Sequence, residues 1–515
     1  MANSNLLLAI TRIDPRNFPE LKFNTKTTMV SVALAVFVGV PSVKWVYQLW
    51  RATAQFPGPK GKLLSGNLEE LISDDAHKHW VAWNRKYGQI FQVWSWFQRI
   101  VFVGDPEVVA EIANKNYAKD PLVYKGFQHL SGNGLFSQMN QFLWKQQRKS
   151  LSPAFAPKMI REQHPAMQHY AQILLEKLDR AAEEDSVVDM SVEMILLTVD
   201  ILGELAFGCR FDALKQSEDC EIMQLLRSIL PELIKCAMFP LRGHIPILSV
   251  TRKMHQDIAT LRALGERSVR DARERLEKGG RVGNYIFEIL ATAKKQDGSY
   301  MFSHGELVDN YVTFLVAGGD PTAHTMSFCL NELCQPTNRP ILEKIRQELD
   351  MVIPNPSVLM PENDLGKLSY LTMVIKETLR MHGPGFGTIR KLAQDTNVKG
   401  TIIPKNTSLY LWNYPVHRDP RLWDEPDVFD PERFDSSNHK PIVPGSYFPF
   451  SYGPRNCMGQ GLAMAEMKFV LATLLRRYEF SLAPGFTMEY RTAFTLCPGN
   501  GLMMKVRLRD SKSDA

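Results

Sequence analysis

The chain has 515 residues, 44% hydrophobic and 23% charged, an ordinary globular composition with material for a large core. Its formal net charge of +6 comes without a long basic tract interleaved with aromatics, which argues against nucleic acid and leaves an anionic membrane surface or an acidic protein as partners. Seven cysteines, at 209, 220, 236, 329, 334, 457 and 497, contain no CxxC pair and no closely spaced framework, which argues against zinc clusters and disulfide scaffolds and for a reducing environment.

In chain order, a tail over 1–26 precedes TTMVSVALAVFVGVPSVKWVYQLW, residues 27–50. Its single charge, Lys44, can snorkel beside Trp45, Tyr47 and Trp50, so the segment reads as a single-pass transmembrane anchor. A cleaved signal peptide fits less well, because Asp14 and Glu20 lie ahead of the apolar run and no small-x-small site follows it. Basic residues flank both ends, so orientation stays open. Residues 51–66, with Pro57, Gly58, Pro59 and Gly61, read as a stiff hinge, and 67–515 as one catalytic domain without a linker.

The pattern from residue 75 is mostly helical. QIFQVWSW and RIVFVGD read as strands near the start, and TIRKLA, NVKGTIIP and SLYLWN as strands beyond residue 385. No repeat period recurs, so the expected class is α+β, mainly α. QFLWKQQRKSLSPAF puts Trp144 and Arg148 four apart on one helix face. Residues 222–249 are rich in Leu, Ile, Met and Phe, with prolines and scattered cations that suit a lid touching lipid. The longest helix starts at Ser303, where Ser303 and Glu306 form a capping box, and runs to Gln335, about 48 Å. Its centre reads LVAGGDPTAHT, residues 315–325, with Pro321 where an interior proline costs roughly 3 kcal/mol.

The strongest chemical signal is FPFSYGPRNCMGQG, in which Phe450, Gly453, Arg455, Cys457 and Gly459 match Phe-x-x-Gly-x-Arg-x-Cys-x-Gly. Chance predicts on the order of 10⁻⁴ such matches. Cys457 ends a Gly- and Pro-rich loop just before an amphipathic helix, where free backbone N–H groups and the helix dipole favour a thiolate, hence a metal ligand. His324 and His417 lack such a setting and are rejected as ligands.

These motifs resemble the cytochrome P450 family of haem-thiolate monooxygenases, and the likeness extends from the anchor to the C-terminus. The resemblance implies a triangular helical prism with small β-sheets behind the anchor, holding haem b. It makes Cys457 the iron ligand, Phe450 the shield of its sulfur, and Arg455, Trp144, Arg148 and Arg390 propionate contacts. VIKETLRMHGP and PERF resemble the family's Glu-Arg-Arg triad, giving Glu377, Arg380 and Arg433 a structural role. Ala317 and Gly318 fall over the distal haem face, and Pro321 stands where the family has its oxygen-activating threonine. Asp320, Thr322, water or a substrate hydroxyl would then supply protons, and the catalytic candidates are Asp320, Pro321 and Thr322.

The implied activity is hydroxylation of an apolar, lipid- or sterol-like small molecule, with NADPH electrons arriving through a reductase or a ferredoxin. HGPGFGTIRKL and YFPFSYGPRNCMGQ are most like sterol side-chain and fatty-acid hydroxylases. Loss of the threonine leaves reductase-independent rearrangement or dehydration of a lipid hydroperoxide as the alternative, and a non-catalytic haem sensor as a third reading. The implied location is the endoplasmic reticulum, or a plastid or other organelle membrane.

Overall fold

The computed structural model describes residues 56–509 apart from 97, 240–241, 245–248, 280–284, 356–358 and 438–439. The expected anchor at 27–50 lies outside the described residues, as do the tail and the first part of the hinge. Among the described residues no helix is long and apolar enough to cross a membrane. The visible part of the hinge is docked on the first strand: Gln92 N–H donates to the Pro57 carbonyl at 2.9 Å, and only glycine fits at Gly58, where a Cβ would stand 1.9 Å from the Gln92 carbonyl oxygen.

Helix starts follow their capping chemistry. Asp105, Asp120, Asn140, Asp189 and Ser303 each accept a backbone N–H with the side chain, and Pro106 and Pro121 occupy first turns, where a missing N–H costs nothing. The central helix is His304–Leu333, opened by the reciprocal Ser303–Glu306 capping box. It runs through Pro321 without a break and packs along Met190–Phe207, with the Phe207 and Tyr311 rings 4.0 Å apart.

The helix after Cys457, Gln460–Arg477, differs from the amphipathic element expected from its sequence. Residues on most of its circumference are buried, because the central helix and the helices His164–Glu183, Arg339–Val352 and Ser369–His382 enclose it. Enclosure on several sides removes the solvated face that amphipathic patterning requires.

The β-structure is small and peripheral. A four-stranded sheet runs Ile90–Ser95, Gln98–Val103, Ser408–Trp412, Gly387–Lys391, with only its middle pair parallel. Phe91, Phe102 and Trp412 stack on one of its faces against Trp80. Val187–Asp189, Met503–Leu508 and Tyr478–Leu482 form a second sheet, and Thr396–Val398 with Thr401–Ile403 and Tyr490–Thr492 with Leu496–Pro498 form hairpins. The expected mainly helical α+β architecture is what the chain adopts.

Candidate functional site

Cys457 sits in a loop shaped by its backbone. Gly453 takes φ +72, and a Cβ there would lie 2.9 Å from the Ala113 carbonyl oxygen, so a side chain would meet both strain and backbone. The loop closes when Cys457 N–H donates to the Phe450 carbonyl at 2.7 Å, which sets Phe450 beside the thiol's own backbone. Burial pushes the Cys457 thiol up from its ordinary pKa, while the Gly459 amide, the Arg148 charge and the Gln460 amide pull it down. The sulfur residue is deep in the protein yet accessible, so it opens on interior space.

Close by lies a group of buried cations with no counter-charge. Arg455 is 7% exposed, stacks 3.8 Å over the Trp144 ring and donates from Nε to Asn116 Oδ1 at 2.8 Å, leaving Nη1 and Nη2 sealed and unbonded. Burial, then the charge of Arg390, lowers its pKa to about 9. Arg390 donates to Thr388 Oγ1 at 2.5 Å, and burial lowers it as well. Lys119 pairs its backbone with Arg390, donates to the Phe136 carbonyl, and is pushed well down by burial and then by Arg390 and Arg455. None of the three makes an ion pair among the described residues. Each unpaired buried cation costs several kcal/mol, so the cluster calls for an anionic ligand.

This donor set fits a haem, with a thiol for the iron and guanidinium and ammonium groups for two propionates. Trp144 belongs to the cluster as the platform under Arg455. Arg148 donates from Nη1 and Nη2 to the Asn456 carbonyl (2.7 Å) and Oδ1 (2.9 Å), which ties its helix, Gln141–Leu151, to the cysteine loop. Lys119 escapes a reading of the sequence. Its partner Arg390 is brought to it by a β-bridge between distant segments, and no local spacing encodes that.

On the central helix, Ala317 is accessible and Gly318, Asp320 and Pro321 are half-buried, whereas Leu315, Val316 and residues 322–333 are buried. Interior accessibility in a core helix marks a wall of open space. Burial raises Asp320 to about pKa 6, and no hydrogen bond offsets it. Pro321 has no N–H, so the Ala317 carbonyl lacks its i+4 donor. Thr322 lies four residues beyond Gly318, on the face where a Gly318 Cβ would meet Leu202 at 2.9 Å, and its hydroxyl donates back to the Gly318 carbonyl at 3.3 Å. Phe494 approaches Phe127 (5.7 Å) and Phe136 (6.4 Å), giving an apolar cluster beside Thr495.

Glu377, Arg380 and Arg433 come together behind the loop. Arg380, with no exposed surface, donates to both Glu377 oxygens (2.7 and 2.8 Å) and to the carbonyls of His417 and Pro426, and Arg433 Nε stands 3.4 Å from Glu377 Oε1. His417 carries the network onward. Burial first, then the Arg380 charge, lowers it to about pKa 3, and its neutral Nε2 accepts Phe448 N–H at 3.0 Å, two residues before Phe450.

The cytochrome P450 family profile matches residues 56–505. Cytochrome P450 3A6 of Oryctolagus cuniculus is 27% identical over 83% of this chain and 86% of its own, and cytochrome P450 4d2 of Drosophila melanogaster is 27% identical over 90% and 96%. A lithocholate 6-beta-hydroxylase of Mesocricetus auratus is 26% identical over 88% and 91%. With a thiol loop, an uncompensated cation cluster and a profile match over nearly all described residues, the chain belongs to the cytochrome P450 family and is a haem-thiolate monooxygenase.

Proposed function

We propose that this enzyme hydroxylates an apolar, lipid- or sterol-like molecule, using NADPH-derived electrons from a membrane reductase or a ferredoxin. The observation that carries the reading is the pairing of an accessible, deep-set Cys457 with a cation cluster that has no anion among the described residues. Bound haem supplies the reduction of dioxygen and the transfer of one oxygen atom to a C–H bond. Cys457 Sγ would hold the iron, with Phe450 covering the sulfur. Arg455, Arg390 and Lys119 would hold the propionates, with Trp144 under the Arg455 guanidinium, and Arg148 keeps the cysteine loop in register. Ala317 and Gly318 leave room beside the helix backbone, and Asp320, raised to about pKa 6 by burial, would exchange protons there.

The phenylalanine cluster of Phe127, Phe136 and Phe494 excludes water and favours an apolar substrate. A relative named for hydroxylating lithocholate supports a sterol-like class. Residues 27–50 would anchor the enzyme in the endoplasmic reticulum or another organelle membrane. Electrons would enter on the cysteine side beside exposed Lys145 and Lys149.

Oxygen consumption with NADPH and a reductase, measured on a panel of lipids and sterols, tests the reading. Product that appears only with reductase and oxygen supports it. Rapid anaerobic decay of a lipid hydroperoxide without NADPH refutes it. Cys457→Ser should also abolish the thiolate-type spectrum of the reduced carbon monoxide complex.

A further inference from the structure

The helix Met190–Phe207 ends at Gly208, whose φ of +64 lets the chain turn sharply away and arch through residues 209–220 before the helix Glu221–Met238 begins. Between that arch and the helix Ser249–Glu277 lies a cavity of about 530 Å³, within the roughly 300–1,000 Å³ of small-molecule sites. It is separate from the site described above, since none of Cys457, Arg455, Arg390 and Asp320 lines it. Phe207, Phe211, Ile222, Leu264 and Tyr311 give it an apolar wall, in which Tyr311 belongs to the central helix. Cys209 Sγ and Ser268 Oγ lie 3.3 Å apart in the same lining, so each meets the polarity of the other.

The mouth is charged. Arg267, Asp271 and Arg275 recur one turn apart on one face of Ser249–Glu277, and Arg210 joins them from the arch. Arg210 stands 3.8 Å from a Glu204 oxygen that already accepts the Tyr170 hydroxyl at 2.9 Å, and Arg275 stands 3.4 Å from Glu288. Arg267 makes no hydrogen bond or ion pair among the described residues. Of the two lining acids, Glu221 occupies the first turn of its helix, where the dipole's positive end stabilises it. Within the lining, Asp271 alone is then left against three guanidinium groups. A surplus of positive charge over an apolar wall complements an organic anion. We propose that this cavity is a second ligand site, for an organic monoanion whose hydrocarbon body packs on Phe211, Ile222 and Leu264 and whose carboxylate or sulfate is bound by Arg267 together with Arg210. The inference goes beyond the monooxygenase reading and does not depend on it, because binding here involves no residue of the thiol loop or the cation cluster.

The test is a fluorescence titration of the full-chain holoprotein, its haem chamber filled with an azole, with anilinonaphthalenesulfonate, an aromatic organic anion. One saturable class is expected. Arg267→Glu should weaken it by about tenfold, through loss of a charge-assisted contact, and Arg267→Lys should restore most of the affinity. Arg270→Glu makes the same charge change three residues along the same helix but outside the lining, and should leave the affinity within about twofold. Arg267 and Arg270 are exposed, so these variants keep the fold, which an unchanged spectrum of the reduced carbon monoxide complex verifies. Decyl sulfate and decanoate, below their micellar concentrations, should displace the probe where decanol does not, and the stronger of the two identifies the head group. An affinity that Arg267→Glu leaves unchanged, that Arg270→Glu lowers as much, or that decanol competes for as well as decanoate overturns the proposal. So does the absence of any saturable class.

Discussion

Replacing Glu377 by Gln removes the anion of a network in which Glu377 and Arg380 have no solvent access. Glu377 Oε2 accepts Arg380 Nε at 2.7 Å, and Oε1 accepts Arg380 Nη2 at 2.8 Å and Asp430 N–H at 2.9 Å, with Arg433 Nε at 3.4 Å. A neutral amide keeps one acceptor oxygen and turns an amino group toward a guanidinium. Each charge-assisted bond contributes about 1.5–3 kcal/mol, and breaking a buried ion pair costs about 3–5 kcal/mol. Arg380 retains the His417, Pro426 and Val428 carbonyls, which places the loss near the lower end, about 3 kcal/mol. Against a total of about 5–15 kcal/mol, that is a large fraction of stability. Urea unfolding of the holoprotein should show it in both tryptophan fluorescence and the haem band, because His417 couples the network to Phe448. Adding Arg380→Met should recover part of the loss, since it removes the fully buried charge that the neutral amide strands, and the remaining cation, Arg433, still has Asp430 at 4.0 Å. A single-variant loss under about 1 kcal/mol, or a double variant worse than the single, would refute the reasoning.

Asp320→Asn should stabilise the apoprotein at neutral pH. The folded carboxyl titrates near 6 and the free one near 3.8, so between those values the unfolded chain ionises first and folded stability falls as pH rises. The cost levels off above about pH 6 at roughly 2–3 kcal/mol, and melting the parent and Asp320→Asn apoproteins from pH 4 to 7 should show a widening difference. Lys119→Met should raise the melting temperature of the apoprotein by removing an unpaired buried cation, yet speed haem loss by about 10-fold or more, read by transfer to a scavenger. Pro321→Thr restores an N–H for the Ala317 carbonyl and adds a hydroxyl, so electron coupling to product should change; unchanged coupling counts against a rerouted proton supply.

Local signals account for a large part of the molecule. The Ser303–Glu306 box, the helix through Pro321 and the strands at 90–103 and 387–412 follow from periodicity and capping, which act within a few residues. Cys457 and its Gly-rich loop are legible in the sequence because the thiol's chemistry and its backbone shape lie within one short stretch. The burial of Gln460–Arg477 on most sides is not, because it depends on how many helices surround that helix. The partners of Trp144 and Arg148 are hidden for a related reason: their spacing fixes a shared face, and only packing brings Arg455 over the one and Asn456 to the other.

The covalent order of residues therefore dictates the thiol of Cys457 in its Gly-rich loop, the proline inside the central helix and the outline of a mainly helical protein, since each resides in a single side chain or a few consecutive ones. Packing decides the rest. Lys119 joins Arg390 across a β-bridge, His417 links Arg380 to Phe448, and His324 finds Thr495 on a distant hairpin. Charge and hydrogen bonding are properties of distances in space, and between residues far apart in the chain those distances exist only once the chain has closed on itself.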